Sequence, residues 1–167
     1  PDDSAGRDKE MLAALDAYVL SGALKLFRAS TLGIPKLFRH HTMLVHESVK
    51  TAEHESLAAD IRRVWNSAGY DLPAGLKRLN DLWTNDFRPV SEARAQEAPT
   101  IANFHALRDH IGHAVDKIQQ GANPVVIVNG VAEKDYLQAD INFQAGDVWK
   151  ILVGGAKLSR GFTVEGL

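Results

Sequence analysis

Three short runs of apolar residues, set far apart in the chain, constrain the fold more than any other feature. They lie within HTMLVHES (41–48), NPVVIVNG (123–130) and VWKILVGG (148–155), and polar residues or glycines bound each of them. A continuously apolar run of this length is typical of a strand buried on both faces, and helical stretches between such strands are typical of a parallel sheet. The sequence therefore predicts an α/β fold with parallel strands near residues 42–46, 125–129 and 149–153.

The rest of the chain favours helices. Apolar residues recur at helical spacing over 9–28 and again over 49–68, while no alternating pattern appears between 76 and 120. In that middle region LKRLNDLW and PTIANFHALRDHIGHAVDKIQQG are predicted to be helical, with a polar, proline-containing separator between them. We therefore expect a leading helix and loop over 1–40, and strands separated by helical stretches over 41–167.

Composition narrows the class of protein. The chain has 167 residues, 45% of them hydrophobic and 24% charged, which is typical of a globular protein. It has no cysteine, which excludes disulfides and thiolate metal sites and fits a cytoplasmic location. No apolar run approaches the roughly 20 residues that a membrane span needs. The formal charge of −2 predicts that any contact with DNA is local, because no general basic surface is available.

Both ends of the sequence indicate a segment of a longer protein. The chain begins PDDSAGRDKE without a methionine, and it ends GFTVEGL directly after its most distinctive stretch. We expect further residues on both sides.

The candidate binding site lies where the predicted strands end. Ligands of open parallel sheets bind beyond the carboxyl ends of the strands. The richest segment follows the third strand, because its glycines permit close backbone approach and its cations and hydroxyls suit phosphates. The alternative is a solvated turn with incidental charges. The candidates after the third strand are Gly154, Gly155, Lys157, Ser159, Arg160, Gly161, Thr163 and Glu165, and those after the first two are His46, Glu47, Ser48, Asn129 and Gly130.

Other site types have weaker support. The sequence contains no Gly-x-x-x-x-Gly-Lys-Ser/Thr loop, no Gly-x-Gly-x-x-Gly and no Gly-x-Ser-x-Gly. A metal hypothesis rests on four side chains at helical spacing, but ordinary surface histidines are the preferred interpretation and we predict no metal site. We also expect the three tryptophans to be buried rather than to stack on bases. The four side chains are His105, Asp109, His110 and His113.

The final stretch ILVGGAKLSRGFTVEGL closely resembles the signature of the Z-one domain family, which occurs in ATP-dependent endonucleases and helicase-like proteins associated with restriction. HTMLVHES and PVVIVNG resemble two earlier strands of that family, and the three matches follow in the expected order between 41 and 167.

This resemblance implies a RecA-like second motor lobe over 41–167, incomplete in this sequence, of the superfamily-two helicase type. Because the helical stretch at about 70–120 is more than a plain RecA-like lobe needs, it would be a mainly helical insertion that interrupts the lobe. MLVHES would occupy the place of helicase motif four, and GGAKLSRGFTVEGL that of motif five, between the nucleotide cleft and the DNA groove. Gly161 would permit the tight loop. Thr163 and Glu165 would face the nucleotide, and Ser159 and Arg160 the phosphate backbone or the interface between lobes.

The implied function is that of a fragment of an ATP-driven DNA translocase or helicase in a restriction or repair endonuclease. ATP and Mg²⁺ would be bound mainly by another lobe, which carries the P-loop. The family's arginine finger would follow Leu167. No catalytic residue is expected within the fragment, and the fragment alone would be inactive. The alternative is a non-catalytic α/β module that docks a partner, such as a nuclease subunit. Neither reading involves a membrane.

Overall fold

The computed structural model of the chain describes residues 4–46, 51–94, 99, 101–128, 141–155 and 165–166. Its elements are mostly helices. The α-helices are α1 (Ser4–Thr31), α2 (Thr51–Ser67), α3 (Pro73–Leu82), α4 (Arg88–Arg94) and α5 (Arg108–Gln119). A π-helical turn spans Trp83–Phe87, and 3-10 turns span Phe104–Leu107 and Gln120–Ala122. The strands are β1 (His41–Val45), β2 (Val125–Val128) and β3 (Trp149–Gly154).

The three strands form one parallel sheet in the order β1-β3-β2. β3 pairs with β1 from His41↔Trp149 to Val45↔Val153, and it pairs with β2 from Val125↔Ile151 to Val128↔Gly154. All six residues of β3 are buried, as the central strand of a covered parallel sheet requires. The predicted α/β class, the three strands and their parallel pairing are confirmed.

The chain divides into two compact units. One combines Pro1–Leu37 with Val64–Asp116 and is helical, and the other combines Phe38–Arg63 with Lys117–Leu167 and contains the sheet. The predicted leading helix and most of the predicted insertion therefore belong to the same unit. The sheet unit has a buried apolar cluster that combines strand residues with residues outside the strands. Its members are Val128, Ile141, Phe143, Val148 and Leu152.

In the helical unit, α1 buries one face and contacts α3. Leu15, Tyr18, Val19 and Ala23 are buried at the spacing of three and four residues that aligns side chains on one side of a helix. Trp65 and Trp83 are also buried in this unit, and Trp149 is buried in the sheet unit, as predicted.

The prediction of a polar separator between the two helices of the middle region is wrong over the first part of that separator, which is helical. The π-helical turn and α4 carry the helical chain on through Arg94. In a regular α-helix the ring of Pro89 would clash with the carbonyl of Asn85, four residues earlier. Asn85 lies in the π-helical turn, whose wider spacing allows the chain to continue.

Candidate functional site

The candidate site lies at the edge of the sheet where all three strands end. Because the strands are parallel and in register, Val45, Val128 and Gly154 end at the same edge. β3 is the central strand, so the chain that leaves Gly154 and Gly155 starts between the ends of β1 and β2. Any loop that follows Gly155 therefore begins at the middle of this edge.

His46 is fixed to the central strand at this edge. Its Nδ1 lies 2.7 Å from the carbonyl oxygen of Gly154. A carbonyl oxygen only accepts hydrogen bonds, so Nδ1 carries the hydrogen and donates it. In the neutral ring Nε2 is then the acceptor. His46 thus ties the segment that follows β1 to the last residue of β3.

The structure describes four of the predicted site residues, and these four lie in two places. Of the thirteen predicted site residues, the structure brings His46, Gly154 and Gly155 together at this edge. Glu165 lies elsewhere. The candidates that fall outside the described residues are Glu47, Ser48, Asn129, Gly130, Lys157, Ser159, Arg160, Gly161 and Thr163.

Glu165 lies beside the beginning of β1. Its backbone carbonyl accepts a hydrogen bond from the Thr42 hydroxyl at 2.8 Å, and Gly166 accepts one from the Thr42 amide at 3.0 Å. A carboxylate oxygen of Glu165 is 3.3 Å from Nε2 of His40. Because Thr42 lies near the start of β1, these contacts cover the free edge of the strand, away from the carboxyl ends.

The chain belongs to the Z1 domain family. Its match to that family covers residues 10–167, which includes all three strands. Comparison with curated proteins and with solved structures yields no match.

Within this Z1 domain, sequence reasoning missed one buried cation. Lys150 lies inside the central strand and is 8% exposed. Its ammonium donates hydrogen bonds to the carbonyl oxygens of Ile118 at 3.1 Å and Asn123 at 2.7 Å, and to that of Gln120. These carbonyls lie at and just beyond the carboxyl end of α5, where a cation is favoured. A charged residue within an otherwise apolar strand was the available signal.

A second buried polar group in the Z1 domain lies in the helical unit. Asp16 accepts two hydrogen bonds from the Arg78 guanidinium, from Nε at 3.0 Å and from Nη2 at 3.2 Å. Arg78 also donates to the carbonyl of Ala68 at 2.7 Å. Burial, followed by the negative charge of Asp16, raises the pKa of Tyr70 above its ordinary value. This cluster joins α1 to α3 within the unit.

The histidines of α5 are brought near one another but do not form a metal site within the described residues. The rings of His110 and His113 are 6.4 Å apart, and His110 also lies edge-on to Phe27 at 5.7 Å. Burial and the neighbouring His113 lower the pKa of His110, and Asp109 opposes that change.

In the described part of the chain, no helix is long and apolar enough to cross a membrane.

Proposed function

We propose that this Z1 domain is part of an ATP-driven DNA translocase or helicase-like motor of a restriction or repair endonuclease, with a RecA-like lobe that couples nucleotide to DNA. One observation carries the proposal. β1 and β3 are adjacent parallel strands, so the segment that resembles helicase motif four reaches the same edge at which the segment that resembles motif five begins. The His46–Gly154 hydrogen bond joins those two segments directly.

The position and the chemistry of the motif-five-like loop support a coupling role. The loop starts at the centre of the edge where ligands of parallel sheets bind. Its sequence, AKLSRGFT, supplies two cations and two hydroxyls that suit phosphate groups. A lysine and an arginine can neutralise phosphates of either the nucleotide or the DNA backbone.

The proposal requires a second lobe. This sequence contains no P-loop. ATP and Mg²⁺ would be held mainly by a lobe with a phosphate-cradling loop, and this domain would complete the cleft. The bound Mg²⁺ would neutralise charge on the phosphates during hydrolysis.

Arg160→Ala in the full-length protein tests the coupling role. We expect the variant to melt like the parent while DNA-stimulated ATP hydrolysis falls at least about 10-fold, which is about 1.4 kcal/mol in transition-state free energy. The matched control is Arg94→Ala, which removes an exposed arginine at the end of α4 and should leave hydrolysis unchanged. Equal hydrolysis by Arg160→Ala and the parent, with DNA present, would rule out the coupling role.

A second candidate function is a docking module for a nuclease subunit. Three large apolar side chains stand exposed within six residues after α1, namely Leu32 (50%), Ile34 (48%) and Leu37 (41%). Exposed apolar residues that lie close together are typical of interaction surfaces. For a docking module, the double substitution Leu32→Ser and Ile34→Ser would abolish association with the nuclease subunit, while Arg160→Ala would leave all activities unchanged.

A further inference from the structure

The helical unit contains a cavity that no step of the proposed motor uses. Its volume is about 310 Å³. That volume is at the lower end of the roughly 300–1,000 Å³ typical of small-molecule sites. Apolar residues form most of the wall, with four polar residues among them. The apolar residues are Leu24, Trp83, Pro99, Ile101 and Ala102, and the polar ones are Arg28, Arg88, Ser91 and Glu92.

The charges that line this cavity are unbalanced. Nε of Arg88 lies 3.1 Å from a carboxylate oxygen of Glu92, so these two side chains neutralise each other. Arg28 is different, because its Nε is buried and has no hydrogen-bond partner among the described residues. A buried N–H without an acceptor is destabilising. The cavity wall therefore holds one guanidinium whose Nε–H lacks an acceptor among the described residues.

The backbone beside the cavity is irregular. Trp83 begins the π-helical turn, and its side chain is 3% exposed. Single π-helical turns within α-helices occur frequently at functional sites. The turn brings a large aromatic side chain into the same wall as Arg28, which combines an apolar surface with a cation.

We propose that this cavity binds a small anion carried on an apolar ring, either a carboxylate or a phosphate monoester. The Arg28 guanidinium pairs with the anionic oxygens, since an arginine presents parallel N–H donors that match a carboxylate or a phosphate. The apolar wall, including Trp83, receives the ring. This site is separate from the sheet edge and does not depend on the motor function.

Calorimetric titration of the full-length protein with three single-ring probes tests the site. The probes are benzoate, phenyl phosphate and the neutral benzamide. We expect benzoate or phenyl phosphate to bind with a Kd of about 1 mM or below, and benzamide to bind at least about 10-fold more weakly. The tighter binder of benzoate and phenyl phosphate shows whether the anionic group of the ligand is a carboxylate or a phosphate.

Two variants locate the binding. Arg28→Gln should weaken the anion at least about 10-fold, and Ser91→Trp should fill the cavity and abolish binding while Arg28 is retained. If Arg28→Gln proves unfolded by thermal melting, Ser91→Trp decides. Arg94→Gln, at an exposed position that does not line the cavity, should bind as the parent does. The proposal is wrong if neither anion binds, if benzamide binds equally well, if Ser91→Trp still binds, or if Arg94→Gln weakens binding as much as Arg28→Gln.

Discussion

At the scale of single residues, Lys150 shows how a charge is accommodated inside a buried strand. Its three ammonium hydrogens meet three backbone carbonyls at the end of α5, so the charge is surrounded by acceptors. Each of those carbonyls would otherwise need another donor, because buried polar groups without partners are costly. The residue thus links the central strand of the sheet to the end of a helix within the sheet unit.

Lys150→Met is expected to lower the free energy of unfolding by about 3 kcal/mol, because it leaves these carbonyls without their donor. Lys77→Met is the matched control. The Lys77 side chain is 76% exposed and pairs with the exposed Asp81, so its loss should cost less than about 0.5 kcal/mol. Urea denaturation of both variants measures the difference. Equal costs would show that the Lys150 hydrogen bonds contribute nothing to stability.

Tyr70 provides a test of pH dependence at the same scale. Its side chain is buried, and burial together with Asp16 raises its pKa. As pH rises above about 10, tyrosine in the unfolded chain loses its proton while Tyr70 in the folded chain keeps it. The folded state then binds more protons, so stability falls with increasing pH.

Tyr70→Phe removes the ionisable hydroxyl and should change the free energy of unfolding at pH 7 by less than about 1 kcal/mol. Above pH 10 its stability should fall less steeply than that of the parent, by up to about 1.4 kcal/mol per pH unit. Unfolding free energies measured between pH 8 and 11 give both slopes. Parallel slopes would mean that Tyr70 ionises equally readily in both states.

At the scale of elements, substitution of two helical glycines by alanine is expected to have opposite effects on stability. A Cβ on Gly75, in α3, would lie 2.0 Å from the backbone oxygen of Gly69, whereas a Cβ on Gly112, in α5, would meet nothing within 4 Å. Gly75→Ala should therefore destabilise the chain by at least about 2 kcal/mol, because backbone must move to relieve the overlap. Gly112→Ala should stabilise it by about 0.5–1 kcal/mol through helix propensity.

Thermal or urea unfolding of the two alanine variants measures these changes on the same chain. The close approach at Gly75 would be refuted if both substitutions stabilised the protein to a similar extent.

The elements that the sequence predicted well are those with an unambiguous period or run. β2 and β3 were predictable because VVIV is a continuous apolar run and WKILV is apolar except for Lys150, and short apolar runs of this kind are typical of strands in a covered sheet. The continuation of the helix through Pro89 was not predictable. Proline normally ends a helix, and the π-helical turn has no clear sequence pattern of its own. The partners of Lys150 and Asp16 were also unpredictable, because they are 27 to 32 and 62 residues away in sequence.

The candidate site was predictable only in its location. Parallel strands imply a shared edge, and the structure brings His46 and Gly154 together there. The contact of Glu165 with the start of β1 could not be inferred, because it depends on how the chain returns after the loop. The nucleotide and DNA roles of the loop residues stay predictions.

At the scale of the whole molecule, the 167-residue chain alone should not hydrolyse ATP, because it has no P-loop. A phosphate-release assay with and without DNA should give rates at the background of a no-protein blank. Hydrolysis above background that a substitution within this chain abolishes would contradict the motor assignment, since it would require a complete nucleotide site in this domain.

The central position of β3 also determines when the sheet can form during synthesis. Among the described strands, β1 and β2 do not pair with each other, and both pair with β3. His41 leaves the ribosome 108 residues before its partner Trp149. At a synthesis rate of about 5–20 residues per second, the first strand stays unpaired for several seconds or longer. The first strand therefore emerges with its β3-facing edge unpaired, and the sheet can close only after residues 149–154 have emerged.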